Sequence, residues 1–246
     1  MSGAQGVAGQ GGAEPSYVLP APAVVSAAVA GERARFALRR IYCVGQNYAS
    51  HAREMGADPK REPPFFFTKP ATALLADHGR LPYPARTANL HHEVELVVAL
   101  KIGGRRIVAA SALEHVYGYA IGNDFTRRDL QAAAKEKGRP WDVAKGFDYS
   151  AALGPITPVA RVGHPAHGAI WLSVNGLEKQ RADLADMIWK VADVLAELST
   201  FFELAPGDLI YTGTPAGVGP VVAGDVLVGG IDGLGTLTTT VVAPLT

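Results

Sequence analysis

The sequence has little cysteine, since Cys43 is the only one among its 246 residues. A single thiol cannot form a disulfide within the chain and cannot build a cysteine-based zinc site. The chain also lacks an excess of either charge, because 23 Lys and Arg residues balance 23 Asp and Glu residues. Without a basic surplus to neutralise phosphates, no nucleic-acid partner is expected.

Long apolar runs are absent too, and no stretch is long enough to cross a bilayer. The N-terminus lacks the basic start and apolar core of a secretory signal. We therefore expect a cytoplasmic protein with no membrane partner. What the sequence does contain is a 48% share of hydrophobic residues, which is enough to form a folded core.

Composition divides the chain into three parts. Residues 1–16 are mostly Gly, Ala, Ser and Gln, which predicts a disordered tail. Residues 17–37 are rich in Ala and Val with scattered Pro, and we expect a short N-terminal segment there. Residues 38–246 hold the clear patterns of secondary structure and form the predicted main domain.

The main domain shows more strand patterns than helix patterns. Alternation, β-branched residues and flanking Gly or Pro predict strands at 40–45, 65–68, 93–100, 116–122 and 170–174. Helical spacing and breakers predict helices at 47–55, 126–137 and 186–202. Strands and helices do not alternate regularly, so the sequence predicts a β-rich α+β fold rather than a doubly wound sheet.

Two glutamates occupy a predicted strand. Glu93 and Glu95 are two residues apart, so alternation places both side chains on one face, opposite Val94. Adjacent buried carboxylates repel, and a hard cation such as Mg²⁺ would relieve that repulsion. Asp124 follows another predicted strand and could supply a third carboxylate. Spacing alone favours the alternative, a solvated face of an edge strand.

A histidine and a glutamate precede this strand. His51 and Glu54 are three residues apart and share a face if the segment is helical. Such a pair can activate water, because the carboxylate orients the imidazole that takes the proton. A surface pair with Arg53 is the structural alternative.

Several cationic or polar positions allow both a structural and a functional interpretation. Lys69 follows three Phe residues and could either reach solvent or pair with a buried anion. Lys145 could be a solvent-facing loop residue. Arg128 could belong to a charged helix start capped by Thr126. Thr214 lies in a glycine-rich loop that lacks the Gly-Lys-Ser/Thr of a Walker motif, so an anion site and a plain turn both remain open.

Taken in order, these segments resemble the fumarylacetoacetate hydrolase family. The matching segments are GQNY at 45–48 with His51 and Glu54, FTKP at 67–70, EVEL at 93–96, GNDFTRRDLQ at 122–131, KGFD at 145–148 and GTPAGVG at 213–219. Each segment is weak alone, but six in the same order make chance a poor explanation. One departure is Gln46, where the family often has Arg.

The resemblance implies a mixed β-sandwich roll and a homodimer. It also implies Mg²⁺ or Mn²⁺ bound by Glu93, Glu95 and Asp124, and a lid that carries His51 and Glu54 as the water-activating dyad. The expected catalytic residues are therefore His51, Glu54 and Lys145. The residues expected to bind a small 2-oxo acid are Lys69, Arg128, Gln131 and Thr214.

Segments 52–56, 61–67, 138–141, 188–189 and 199–204 are most similar to those of family members that act on 3-fumarylpyruvate in gentisate degradation. The implied reaction is metal-dependent hydrolysis of a C–C bond in a 2,4-dioxo acid, which yields fumarate and pyruvate. Acylpyruvate hydrolysis, oxaloacetate decarboxylation or tautomerisation, and decarboxylation or isomerisation of a homoprotocatechuate-pathway diacid remain open on the same site. A non-catalytic 2-oxo-acid binding protein is the alternative of another class.

Overall fold

The computed structural model describes residues 17–50 and 63–245. The predicted tail at 1–16 and the predicted dyad of His51 and Glu54 lie outside the described residues. The strands are β1 Ser26–Ala28, β2 Arg35–Ala37, β3 Ile41–Gly45, β4 Phe65–Lys69, β5 Leu74–Ala76, β6 Gly79–Pro82, β7 Leu90–His92, β8 Val94–Leu100, β9 Val116–Asp124, β10 Thr126–Arg127, β11 Ala151–Leu153, β12 Thr157–Pro158, β13 Ala169–Val174, β14 Leu177–Asp183, β15 Leu209–Tyr211, β16 Gly219–Val221, β17 Val226–Ile231 and β18 Gly235–Val242.

Helices are few and short. The α-helices are α1 Arg128–Glu136, α2 Asp142–Lys145, α3 Val159–Val162 and α4 Val191–Phe201, and 3₁₀ turns occur at Ala71–Ala73, Ala109–His115 and Leu184–Asp186. No helix within the described ranges is long and apolar enough to cross a membrane. The prediction of a β-rich α+β fold is confirmed.

Two mixed sheets form the body of the protein. The larger sheet has the order β4-β3-β15-β8-β9-β11-β5, with β12 added beside β9. Its β3–β15 and β11–β5 pairs are parallel, and its other pairs are antiparallel. The second sheet has the order β14-β13-β17-β18-β6, in which only the β18–β6 pair is parallel.

The main core lies between these two sheets. Gly229 of β17 approaches Val94 and Ile121 of the larger sheet so closely that an added Cβ would lie 3.1 Å from a Val94 methyl group. A second apolar cluster lines the other face of the larger sheet. Strand β8 is therefore buried on both faces, and every one of its residues is inaccessible to solvent. A carboxylate on this strand is shielded from bulk water.

The predicted helix at 186–202 is too long, because the observed helix begins at Val191. The preceding backbone is bound by Asn47 instead. The Asn47 side-chain oxygen accepts from the Trp189 N–H at 2.7 Å, and the Asn47 carbonyl accepts from the Ile188 N–H at 2.8 Å. These hydrogen bonds replace helical ones and hold residues 187–190 outside the helix.

Helix α1 begins at Arg128, two residues later than the helix predicted at 126–137. Thr126 and Arg127 instead form strand β10, which pairs with β7. The proposed Thr126 cap is wrong, since the Thr126 hydroxyl donates to the Asp124 carbonyl at 3.0 Å. This extended pair separates Asp124, the last residue of β9, from the start of α1.

Candidate metal centre

Three carboxylates meet where β8 begins and β9 ends. Glu95 belongs to β8, Asp124 ends β9, and Glu93 directly precedes β8. One ligand oxygen from each lies within 4.8 Å of those of the other two. Their exposed fractions are 5% for Glu93, 1% for Glu95 and 0% for Asp124. The solvated-face interpretation, which spacing alone favoured, is therefore wrong.

Strand pairing explains why these side chains converge. In the antiparallel β8–β9 ladder, Glu95 lies opposite Gly122, and the Asp124 N–H donates to the Glu93 carbonyl at 2.8 Å. The buried Asn123 side chain accepts a hydrogen bond from the Glu93 N–H at 2.7 Å. The backbone around Glu93 is thereby fixed although that residue lies between two strands. The other two carboxylates, Glu95 and Asp124, belong to paired strands of one sheet.

Two buried lysines surround the carboxylates. Lys145 Nζ lies 2.7 Å from Glu93 Oε2 and 2.8 Å from Asp124 Oδ2, and Lys69 Nζ lies 2.7 Å from Asp124 Oδ1. Burial lowers the pKa of Lys145, but the Asp124 and Glu93 charges outweigh it, so that its pKa is raised. Lys145 is held as an ammonium ion. The solvent-facing interpretations of both lysines are wrong.

Helix α1 brings an arginine to the same cluster. Arg128 Nη2 lies 2.5 Å from Glu93 Oε1, and Arg128 Nη1 donates to Gln131 Oε1 at 2.6 Å. Arg128 and Gln131 are three residues apart and share one helix face. Both line the cavity above the carboxylates, together with Thr214 from the loop after β15. Every predicted site residue within the described ranges therefore lies in or beside one cluster.

Glu95 differs from the other two carboxylates because no described cation pairs with it. Within residues 17–50 and 63–245, its Oε2 accepts only the Gly213 N–H, at 2.7 Å. Burial, and then the charges of Asp124 and Glu93, raise the pKa of Glu95 well above its usual value. A buried carboxylate in this state is costly unless a cation approaches it.

The chemistry of the cluster fits a divalent ion. Its donors are carboxylate oxygens, which Mg²⁺ and Mn²⁺ prefer. Asp124 Oδ1 is buried and receives no hydrogen bond of good geometry, although Lys69 is near. An ion between the three side chains would offset the charge of Glu95 and satisfy that oxygen.

Gln180 of β14 is a site residue that sequence reasoning missed. It is buried, and its amide nitrogen donates at 2.8 Å to both the Thr214 hydroxyl and the Pro215 carbonyl. Its amide oxygen lies 2.9 Å from His92 Nδ1 and accepts the Val94 N–H at 3.1 Å. Gln180 thus ties the Thr214 loop to the start of β8.

The cavity wall away from the carboxylates is aromatic. Trp141 contacts Phe65 edge-on, with ring centres 5.2 Å apart, and lies 5.7 Å from the Phe67 ring. The residues that line the cavity are Val44, Gly45, Gln46, Phe65, Phe67, Glu93, Glu95, Arg128, Gln131, Lys135, Trp141, Lys145 and Thr214. Lys135 and the aromatic residues were not predicted as site residues, because single lysines and aromatics carry no local signal.

Residues 40–242 match the family model described as "Fumarylacetoacetate (FAA) hydrolase C-terminal". The chain belongs to the fumarylacetoacetate hydrolase family, and its mixed β-sandwich roll is the fold of that family's C-terminal domain. The resemblance drawn from ordered motifs is confirmed.

Individual relatives are similar over most of their length. A fumarylpyruvate hydrolase from Ralstonia sp is 46% identical over 184 residues, which are 75% of this chain and 95% of the relative. The crystal structure of fumarylpyruvate hydrolase from Pseudomonas aeruginosa in complex with Mn²⁺ and pyruvate is 52% identical, with a TM-score of 0.90, and the match covers 93% of this chain and 100% of that one. The human mitochondrial oxaloacetate tautomerase FAHD1 is 40% identical over 206 residues, covering 84% of this chain and 93% of the relative.

Proposed function

We propose that this protein is a divalent-metal-dependent hydrolase that cleaves 3-fumarylpyruvate into fumarate and pyruvate. The observation that carries the proposal is the buried trio of Glu93, Glu95 and Asp124 beside a cation-lined cavity. The Ralstonia and Pseudomonas relatives, both named fumarylpyruvate hydrolases, support the choice of substrate.

Glu93, Glu95 and Asp124 would hold the ion, which when bound would supply Lewis-acid stabilisation of negative charge on the pyruvyl oxygens. The protein's own cations supply further positive charge there. Lys145 and Arg128 each contact Glu93, so both ammonium and guanidinium groups lie at the carboxylate end of the cavity. Thr214 and Gln131 add hydrogen-bonding groups that orient the substrate.

His51 and Glu54 are proposed, from sequence alone, to deprotonate a water molecule that attacks the C4 carbonyl. The C3–C4 bond then breaks, its electron pair remains on C3, and fumarate leaves from the C4 side. Lys145, held as an ammonium ion, stabilises the charge or returns a proton to C3, which gives pyruvate. Water is the only co-reactant that this balance requires.

The direct test is turnover of fumarylpyruvate by the purified protein with Mg²⁺ or Mn²⁺, with fumarate and pyruvate quantified in equal amounts. Removing the ion with EDTA is expected to abolish turnover, and adding it back is expected to restore it. Binding of the substrate without any turnover would instead support a 2-oxo-acid binding protein.

Oxaloacetate tautomerisation or decarboxylation is a second candidate, favoured by the 40% identity to human oxaloacetate tautomerase FAHD1. Both reactions need negative charge stabilised on a 2-oxo acid, so the carboxylate trio does not separate them from hydrolysis. A panel of fumarylpyruvate, acetylpyruvate and oxaloacetate, compared by kcat/KM, separates them. We expect fumarylpyruvate to rank first.

We further propose that the ion is Mg²⁺, that the protein is a homodimer and that it acts in gentisate degradation, as the family resemblance implies. Metal analysis of the protein as purified tests the ion, and light scattering on a sizing column tests the dimer. A gentisate dioxygenase gene beside this one would support the pathway.

A further inference from the structure

Helix α1 carries a third polar side chain toward the cavity. Arg128, Gln131 and Lys135 follow one another at spacings of three and four residues, so they share a helix face, and all three line the cavity. Arg128 lies at the carboxylate end, where it contacts Glu93. Lys135 lies seven residues further on, about 10 Å along the helix axis. The helix therefore places cations toward both ends of one cavity.

The two cations differ in their partners. Arg128 and Lys145 both pair with Glu93, whereas Lys135 has no carboxylate within ion-pair distance among the described residues. Its ammonium group lies 5.2 Å from the centre of the Trp141 ring, a cation–π contact that fixes its direction. Lys135 is exposed to solvent and is thus accessible to an incoming anion.

The wall between these cations suits a flat carbon chain. Trp141 packs against both Phe65 and Phe67, and all three aromatic residues line the cavity. A planar, conjugated chain packs well on such a surface. A ligand held at the carboxylate cluster by one end would lie along this wall and point its other end at Lys135.

We propose that Lys135 binds the distal carboxylate of the substrate and makes the site selective for diacids over monoacids. This inference deepens the proposed function and rests on it for the identity of the diacid. Two other basic residues near the site are weaker candidates. Arg139 is exposed and is not among the residues that line the cavity, and Arg53 lies outside the described residues.

Binding of matched non-hydrolysable ligands tests the proposal without relying on turnover. 2-Oxoheptanedioate has the length and both terminal carboxylates of the proposed substrate but lacks its 4-oxo group and its C5–C6 double bond. 2-Oxoheptanoate is the same chain without the distal carboxylate. Dissociation constants of both would be measured by calorimetry with Mn²⁺ present, on the wild type and on Lys135→Met, Lys135→Gln and Lys135→Arg. Lys137→Met is the control, because Lys137 follows the same helix and does not line the cavity.

We expect Lys135→Met and Lys135→Gln to weaken diacid binding about 10- to 100-fold, as for loss of one charge-assisted hydrogen bond. Monoacid binding should change by less than about twofold, and Lys135→Arg should retain most diacid affinity because it keeps the charge. Equal losses for both ligands, or no loss for the diacid, would overturn the proposal.

Turnover then separates this inference from the proposed function. If the wild type hydrolyses neither fumarylpyruvate nor acetylpyruvate, the proposed function fails, while the binding result for Lys135 still stands. If it hydrolyses both, Lys135→Met should lower kcat/KM for fumarylpyruvate and leave that for acetylpyruvate unchanged. The same fall for both substrates would count against a role in selecting diacids.

Discussion

The two ends of the cavity are built differently. At the carboxylate end, Glu95 and Asp124 belong to paired strands of the large sheet and are inaccessible to solvent. At the other end, Lys135 belongs to a short helix, rests on Trp141 and is exposed. At the first end, Glu93 and Asp124 pair with buried or half-buried cations. At the second end, the described part of the chain has no carboxylate within ion-pair distance of Lys135.

This difference suggests that the carboxylate end carries out the reaction and that the helix end selects the substrate. Groups that stabilise charge during a reaction need fixed positions in a site that excludes water, and buried strands provide both. A group that chooses among substrates needs access to solvent and an unmet charge. Substitutions at the carboxylate end should therefore abolish turnover, and substitutions at the helix end should change substrate preference.

The largest effect is expected at the carboxylate end. Asp124→Asn keeps the shape of the side chain and removes a ligand charge, so kcat/KM should fall at least about 1000-fold. Steady-state kinetics with saturating Mn²⁺ would measure this. Glu136→Gln on the exposed face of α1 is the matched control and should have little effect. Retention of more than a tenth of the activity in Asp124→Asn would remove Asp124 from the metal centre.

The predicted dyad should rank second. His51→Ala should lower kcat by roughly 100- to 1000-fold, within the range for loss of a general base. Mn²⁺ affinity, followed by calorimetry, should stay the same, because His51 is not a predicted ligand. Unchanged hydrolysis in this variant would eliminate the dyad and leave the carboxylate cluster untouched.

Lys145→Met should lower kcat about 100-fold, because an ammonium ion that stabilises developing charge is lost. Its two carboxylate partners, Glu93 and Asp124, lose a competing cation, so Mn²⁺ should bind at least as tightly as before. Lys137→Met is again the control. Loss of Mn²⁺ binding would show that Lys145 positions the metal ligands and does not act mainly by stabilising charge during the reaction.

Gln180→Leu should have the smallest effect on activity. It leaves the Thr214 hydroxyl and His92 without a buried partner, which should lower the free energy of unfolding by about 2 kcal/mol. Thr214 would lose its fixed position, so KM should rise several-fold with little change in kcat. Urea unfolding and steady-state kinetics measure the two effects.

Thr239→Val is the control for that loss of stability. The Thr239 hydroxyl is buried and has no described hydrogen-bond partner, so its removal should leave stability unchanged or raise it. If the free energy of unfolding falls equally in both variants, the hydrogen bonds of Gln180 do not account for the loss of stability.

The carboxylate end could be predicted from the order of its motifs along the chain. Local spacing alone favoured a solvated strand face for Glu93 and Glu95, and the family order of six segments indicated a metal site instead. Local patterns also failed where residues distant in sequence make contact. Residues 187–190 leave the predicted helix because Asn47, far away in sequence, binds their backbone.

Gln180 and Lys135 could not be predicted for a related reason. Gln180 reaches the site through the pairing of β14 with β13, and no pattern within β14 indicates that contact. Lys135 stands among alanines and charged residues, as an ordinary surface lysine would. Its significance depends on the position of Trp141 beneath it and of the cavity beside it.

Mn²⁺ binding to Glu95→Gln tests the metal centre most directly, because Glu95 is the buried carboxylate that no described cation pairs with. Calorimetry on the wild type should give one ion per chain. Glu95→Gln should stay folded and weaken Mn²⁺ binding at least about 100-fold. Loss of a direct metal ligand should lower the affinity by at least as much as loss of a group that hydrogen-bonds to a ligand. Affinity equal to that of the wild type and of Glu136→Gln would contradict the assignment of Glu93, Glu95 and Asp124 as the metal site.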